Sequence, residues 1–173
     1  FDWWINDSDP VGRVMKIFRS PDLLHWEEAM SYSYRRDDRG DPSVKPGLRE
    51  EAHLAGSVWT RNNVLLATYG MWHGAEHWED RSMDLGLLLS TDGIHFNEPI
   101  RDAVFIERGK PGEWDEGGLL QGQGFMNIED STYIAYGSWD MTKPDYPPRG
   151  GVGLIRLRRD GFGFLAPKDP TRD

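Results

Sequence analysis

Apolar residues in this chain gather in short runs separated by clusters of Gly, Pro, Asn and Asp, and over no useful length do they recur at helical spacing. The runs read as strands. They are expected at residues 14–18, 52–59, 64–69, 85–89, 103–106, 119–128, 132–136 and 152–157, with another near Phe164 and the tail of one at 1–4. The link Arg61-Asn62-Asn63 suits a hairpin, because Asn tolerates the positive φ that such turns require. Segments 35–47, 71–84 and 143–151 are charged, polar or Pro-rich and are expected as loops.

The pattern also repeats. Slid forward by 67 residues, Tyr69 falls on Tyr136, Gly70 on Gly137, Trp72 on Trp139, and Asn62-Asn63 on Glu129-Asp130. A second landmark, Ser20-Pro21-Asp22-Leu23-Leu24-His25-Trp26, returns as Ser90-Thr91-Asp92-Gly93-Ile94-His95-Phe96 and more loosely as Asp160-Gly161-Phe162. The three aspartates are expected to brace their turns through backbone N–H groups, and Trp26, Phe96 and Phe162 to wedge between units. A fixed period is the mark of a repeat architecture. Four antiparallel strands in about 68 residues describe a blade of a β-propeller. The expected fold is therefore all-β, a partial propeller of about two and a half blades. Residues 1–50 would form the back half of one blade, 51–113 a complete blade and 114–173 most of another. A propeller closes with about four blades or more. The rest is expected from missing blades of the same protein or from a homo-oligomer partner.

Composition narrows the partners. A net charge of −9 and a pI near 5.0 argue against nucleic acid or an anionic membrane, which need clustered Lys and Arg. No run approaches the roughly 18 apolar residues of a membrane span, and no signal peptide is visible. The absence of cysteine excludes disulfides and thiolate metal sites. Eight tryptophans and twenty glycines fit an all-β, ligand-handling protein.

Three motifs carry a resemblance to a known group. The pattern Ser-x-Asp-x-x-His-aromatic follows a unit's third strand; Glu113-Trp114-Asp115-Glu116-Gly117-Gly118 precedes an inner strand; Tyr133-x-x-Tyr136-Gly137-x-Trp139-Asp140 follows its partner. Together they resemble the five-bladed propeller glycosidases that include arabinanases, xylosidases, invertases and levansucrases. The resemblance covers most of the chain and points to the superfamily rather than to one activity. Ser90-Thr91-Asp92-Gly93 is also similar to the sialidase Asp-box but lacks the extra residue before its glycine, which disfavours a sialidase. The resemblance implies three acids: a base or nucleophile on the first blade, an orienting Asp on the second and a Glu proton donor on the third, the first of them outside this chain. It also implies a secreted or periplasmic protein. No cofactor and no metal are expected.

In a blade, the loop before the first strand and the loop after the second lie on one face. Here those loops hold Glu50-Glu51-Ala52-His53 and Glu113 to Glu116, then Trp72-His73, Trp139-Asp140 and Trp3-Trp4. Sugar hydrolysis needs two carboxyl groups, about 5 to 5.5 Å apart for retention and roughly 6.5 to 9.5 Å for inversion. Indole faces stack on sugar C–H patches. The resemblance thus puts the proton donor at Glu51 or Glu50 and the orienting acid at Asp115 or Glu116. Acids beside strand ends are equally often solvated or bonded to loop amides. Substrate contacts are expected from His53, Trp72, His73, Trp114, Gln121, Gln123, Trp139, Asp140 and Arg149, with packing between blades the alternative for Trp72 and Trp139. The repeat sets either Leu54 and Gly56 or His53 and Ala55 against Gln121 and Gln123. Asp41-Pro42 resembles the Arg-Asp-Pro motif of invertases, but Gly40 interrupts it and a charged turn is the better reading.

Three functions fit. One is a glycoside hydrolase acting on a neutral oligo- or polysaccharide, completed by the missing blades. A second is a noncatalytic carbohydrate-binding propeller, and a third a structural or interaction propeller. Phosphorolysis ranks lower, because the mouth loops offer few cations beyond Arg149 and Lys143.

Overall fold

The computed structural model describes residues 2–3, 13–36, 48, 50–139 and 150–163. These hold ten strands: β1 (Asp2–Trp3), β2 (Val14–Arg19), β3 (Glu27–Tyr34), β4 (Glu51–Arg61), β5 (Val64–His73), β6 (Ser82–Ser90), β7 (Val104–Ile106), β8 (Leu119–Ile128), β9 (Ser131–Trp139) and β10 (Gly150–Arg158). They form three antiparallel meanders, β1-β2-β3, β4-β5-β6-β7 and β8-β9-β10. A 3-10 turn at Trp78–Asp80 is the only helical element among the described residues. The chain is all-β, as its pattern predicts.

The middle sheet is sandwiched, and its sequence says so. Strand β5 reads VLLATYGMWH with scarcely any polar alternation, because both of its faces are covered. Ala67, Tyr69 and Met71 pack with Leu88 and Phe96 against Met15 of the first sheet. Trp72 and Met83 pack instead against Leu120 and Trp139 of the third. Side chains as enclosed as Leu85 and Leu88 contribute roughly 2 kcal/mol each. Strand β10 alternates exposed and half-buried residues, as a strand covered on one side does.

Several expectations need correction. Strand β3 is not among the expected strands, although Met30, Tyr32 and Tyr34 alternate with Ser31 and Ser33 as a strand's residues do. Residues 71–73 and 82–84 belong to strands, so the loop between β5 and β6 is only 74–81. His73 lies opposite Ser82 in that ladder, which continues the hairpin beyond its apolar stretch. Asp160 does not brace its turn as Asp22 and Asp92 do. Those two accept the N–H groups two and three residues on, Leu24 and His25 or Ile94 and His95, at 2.8 to 2.9 Å. Asp160 reaches away to Asn127 and Arg61. Trp26 is not wedged between sheets but 54% exposed, whereas Phe96 is 3% exposed. Gln121 faces Tyr136 across its sheet, and the residue facing Tyr69 is Ala55. A bulge at Leu54 shifts the register after His53, so neither anticipated pairing forms. The Asp41-Pro42 turn, residues 143–149 of the Pro-rich loop and Phe164 lie outside the described residues, while residues 150 and 151, expected in that loop, begin β10 opposite Trp139 and Ser138.

Candidate functional site

Antiparallel pairing brings the start of β4, the end of β5 and the start of β6 to one end of the middle sheet. Glu51 lies opposite Trp72, and His73 opposite Ser82, two residues before Asp84. Glu50 immediately precedes β4 and projects to His73, whose Nδ1 lies 2.9 Å from its Oε2. On its other side His73 meets Asp84, with Nε2 at 3.0 Å from Oδ2. A carboxylate on each ring nitrogen leaves no acceptor role for either, so both carry protons. Hydrogen bonding to Asp84 and then to Glu50 pushes the His73 pKa up to about 9 against the opposing pull of burial. Burial pushes the Glu50 carboxyl up, but His73 and Arg36 outweigh it and hold the group below its ordinary value. Asp84 behaves alike: burial raises it, and the hydrogen bond from His73 with the N–H and charge of Arg108 lowers it further.

The charges continue on both sides. Arg108 donates to Asp84 from its guanidinium at 2.6 Å and from its backbone N–H at 2.8 Å. The buried guanidinium of Arg36 lies 3.1 Å from Glu50 and 3.3 Å from Asp102. Asp102, Arg36, Glu50, His73, Asp84 and Arg108 thus alternate in sign along a chain that ties a residue after β3, the end of β5, the start of β6 and the two flanks of β7 to the head of β4. A cleft of about 500 Å³ opens at its Arg108 end, with Arg81, Ser82, Glu107 and Glu116 in its wall.

Glu51 turns away from this chain and is wholly buried. Its Oε2 lies 3.6 Å from Nε of Arg13, whose guanidinium sits 5.3 Å over the Trp72 ring. His53, two residues along β4, stacks on the same ring at 5.7 Å. Its Nδ1 is enclosed and finds no hydrogen-bond partner among the described residues. Arg13, Glu51, His53 and Trp72 therefore make a second polar nest at the same sheet end. Trp72 itself is 2% exposed and presents no open platform. Trp139 packs against the same cluster.

The acids of the 113–116 loop are placed differently. Asp115 accepts the Tyr136 hydroxyl at 2.8 Å, and burial followed by that bond pushes the phenol up to about 12. Glu116 accepts the N–H of Gly112, and Glu113 that of Lys110 at 2.6 Å. Both close the loop on itself. Trp114 stacks on Tyr136 at 5.8 Å and is 49% exposed, an open indole near these acids. Gln121 is half-buried on β8; Gln123 lies on the same strand. Asp140 and Arg149 fall outside the described residues.

Sequence reasoning passed over Asp84, Arg108, Arg36 and Arg13. Asp84 had a signal, since a carboxylate inside the apolar run Met83 to Leu89 must find a buried partner. The three arginines lie in turn-rich segments with nothing local to mark them. Among the described residues no group of three or more His, Asp or Glu is disposed to hold a metal ion. No protein-family model and no curated protein sequence matches the chain.

Proposed function

We propose that the three sheets are blades of a β-propeller and that its mouth handles a neutral carbohydrate by glycosidase-type acid–base chemistry. The observation that carries the reading is Glu51, a carboxylate wholly enclosed at the head of an inner strand beside Arg13, His53 and Trp72. Enclosing a charge costs several kcal/mol, and such sites cluster where chemistry is done. The motifs that resemble the five-bladed glycosidases support the substrate class. In this reading Glu51 is the proton donor, and it and the enclosed His53 Nδ1 reach a sugar only when ligand binding opens the sheet end around Trp72. Glu50 is locked between two cations and fixes the strand head on which Glu51 sits. The base or nucleophile comes from a blade beyond this chain.

A noncatalytic sugar-binding propeller is the second reading. The occupied state of Asp115 and Glu116 favours it, since Asp115 holds the Tyr136 hydroxyl and Glu116 closes its own loop. One pair of measurements decides. Titrate the protein calorimetrically with arabino-, xylo- and fructo-oligosaccharides and follow release of reducing ends, then repeat with Glu51→Gln. Binding that survives the substitution while hydrolysis falls by about a hundredfold or more supports the catalytic reading. Binding without hydrolysis in either protein supports the second. Neither activity toward any of these sugars sinks the carbohydrate reading.

A further inference from the structure

A proton donor must be uncharged and within reach of its substrate. Glu51 is wholly buried, and the guanidinium of Arg13 lies 3.6 Å from its Oε2. A cation that close favours the charged form of a carboxylate by about tenfold or more. Both obstacles are removed if one side chain moves.

Within the nest around Glu51, two side chains are held fast. Trp72 lies in the ladder between Glu51 and Met83. His53 lies opposite Gly70, where a Cβ would come within 2.5 Å of the Met83 sulfur and 2.7 Å of the His53 carbonyl oxygen, so the strands have no slack there. Arg13 is held differently. It comes from the first sheet, one residue ahead of β2, and its side chain is 14% exposed against 1% for that of Glu51. It is the part of the nest that reaches both the carboxylate and solvent. Its guanidinium also lies 5.3 Å over the Trp72 ring. An indole face attracts a cation, and the same face takes the C–H patch of a sugar ring. Guanidinium and sugar therefore compete for one place. The neighbouring acid Glu50 is already held by Arg36 and His73, so a displaced Arg13 head goes out to water.

From this we infer that Arg13 is a displaceable counter-ion of Glu51. A sugar ring that takes its place over Trp72 draws the guanidinium away, and the carboxylate, left unpaired beside an indole, takes up one proton from the solvent. One motion supplies both access and the proton. Arg13 acts through Glu51 and so is a positioning residue, and the inference rests on the reading of Glu51 as the proton donor.

The test is labelling of Glu51 by a carbodiimide and an amine at mildly acidic pH, read by peptide mass spectrometry on the 173-residue chain, on Arg13→Ala and on Arg13→Lys. Glu50 is the internal reference, because its partners Arg36 and His73 are untouched. Relative to Glu50, Glu51 is expected to label at least about tenfold faster in Arg13→Ala than in the wild type. Arg13→Lys keeps the charge and is expected to label as the wild type does. Wild-type labelling of Glu51 in the Ala variant overturns the inference, since something other than Arg13 then guards the carboxyl. So does a Lys variant as reactive as the Ala variant, since charge is then not what guards it. Should circular dichroism show that Arg13→Ala has lost its strands, Arg13→Lys decides alone by the same criterion. Removing the competitor is also expected to tighten calorimetric binding of oligosaccharide by about threefold in Arg13→Ala, and weaker binding overturns the displacement. Hydrolysis that depends on Glu51 while labelling ignores Arg13 removes this inference and leaves the proposed function standing. Labelling that follows Arg13 in a protein that binds no sugar removes the carbohydrate reading and leaves Arg13 as the guard of Glu51.

Discussion

The middle and the third sheet carry the same device 67 residues apart, and they use it differently. In both, a tyrosine of the second strand lies over a glycine of the third: Tyr69 over Gly86 and Tyr136 over Gly153, each directly opposite in register. In the middle sheet the ring is fully buried, meets Tyr34 of the first sheet edge-on at 5.0 Å, and its hydroxyl donates to Glu98. The phenol there bolts two sheets together. In the third sheet the ring is only half-buried and its hydroxyl holds Asp115. The phenol there positions a loop. The neighbouring position diverges in the same sense, since Asp84 anchors the ionic chain while its counterpart Gly151 lies beneath the Trp114 ring, with no room for a Cβ, which would come within 2.6 Å. One local motif thus serves cohesion where sheets meet and positioning where they do not.

The largest test of that contrast is Gly86→Ala against Gly153→Ala. The new methyl collides with a tyrosine ring in both, but Tyr69 has no space to yield while Tyr136 can swing outward. Urea denaturation is expected to show a loss of about 3 kcal/mol for the first and about 1 for the second. Equal losses would break the comparison. Next comes Tyr69→Phe, which removes a donor from a carboxylate inside the joint and is expected to cost about 2 kcal/mol, against about 1 for Tyr136→Phe. The second variant is also expected to alter proteolysis within 109–117, which the first should leave unchanged.

A further test concerns pH. His73 has its pKa raised from 6.5 to about 9 by folding, so its contribution is complete below 6.5 and is lost as pH rises through 9. Glu50 and Asp84 are lowered from 4.5 and 3.8, so theirs is present above those values and lost as pH falls beneath them. Stability should therefore be greatest between about 4.5 and 6.5 and decline by about 1 to 2 kcal/mol toward pH 9, an amount reduced for the partial exposure of the ring. In His73→Gln the alkaline decline should disappear. If it persists, the ionic chain of the middle sheet does not stabilise the fold, and that difference from the third sheet loses its meaning.

Much of the fold was legible because the repeat made each strand appear more than once. The hairpin turns at Asn62 and Glu129 both take positive φ, although only Asn tolerates it well; the period exposed the second where composition would not. Of the candidate site, Glu50, Glu51, His53 and His73 are legible as acids and imidazoles at strand ends, and they do gather at one sheet end. Their partners are not, because Arg36, Asp102 and Arg108 reach them from other strands and loops, and sequence proximity carries no trace of that. Trp26 was misjudged for the same reason, while Trp72 takes the packing role that the repeat favoured. A tryptophan's residue type does not say which side of a joint it faces or whether a sheet covers it.

The chain by itself determined whatever depends on near neighbours: strand periods, the hydrogen bonds of the Asp22 and Asp92 turns, and the Tyr-over-Gly register. Those follow from backbone geometry and from side chains within reach along one strand or one turn. Only the tertiary structure decided the rest: packing of sheet on sheet encloses Glu51 and buries Phe96 but not Trp26, and pairing of strands distant in sequence sets His73, with two protons, between two carboxylates. Burial and charge pairing depend on what arrives from elsewhere in space, and identical turns acquire different roles when only one of them is covered.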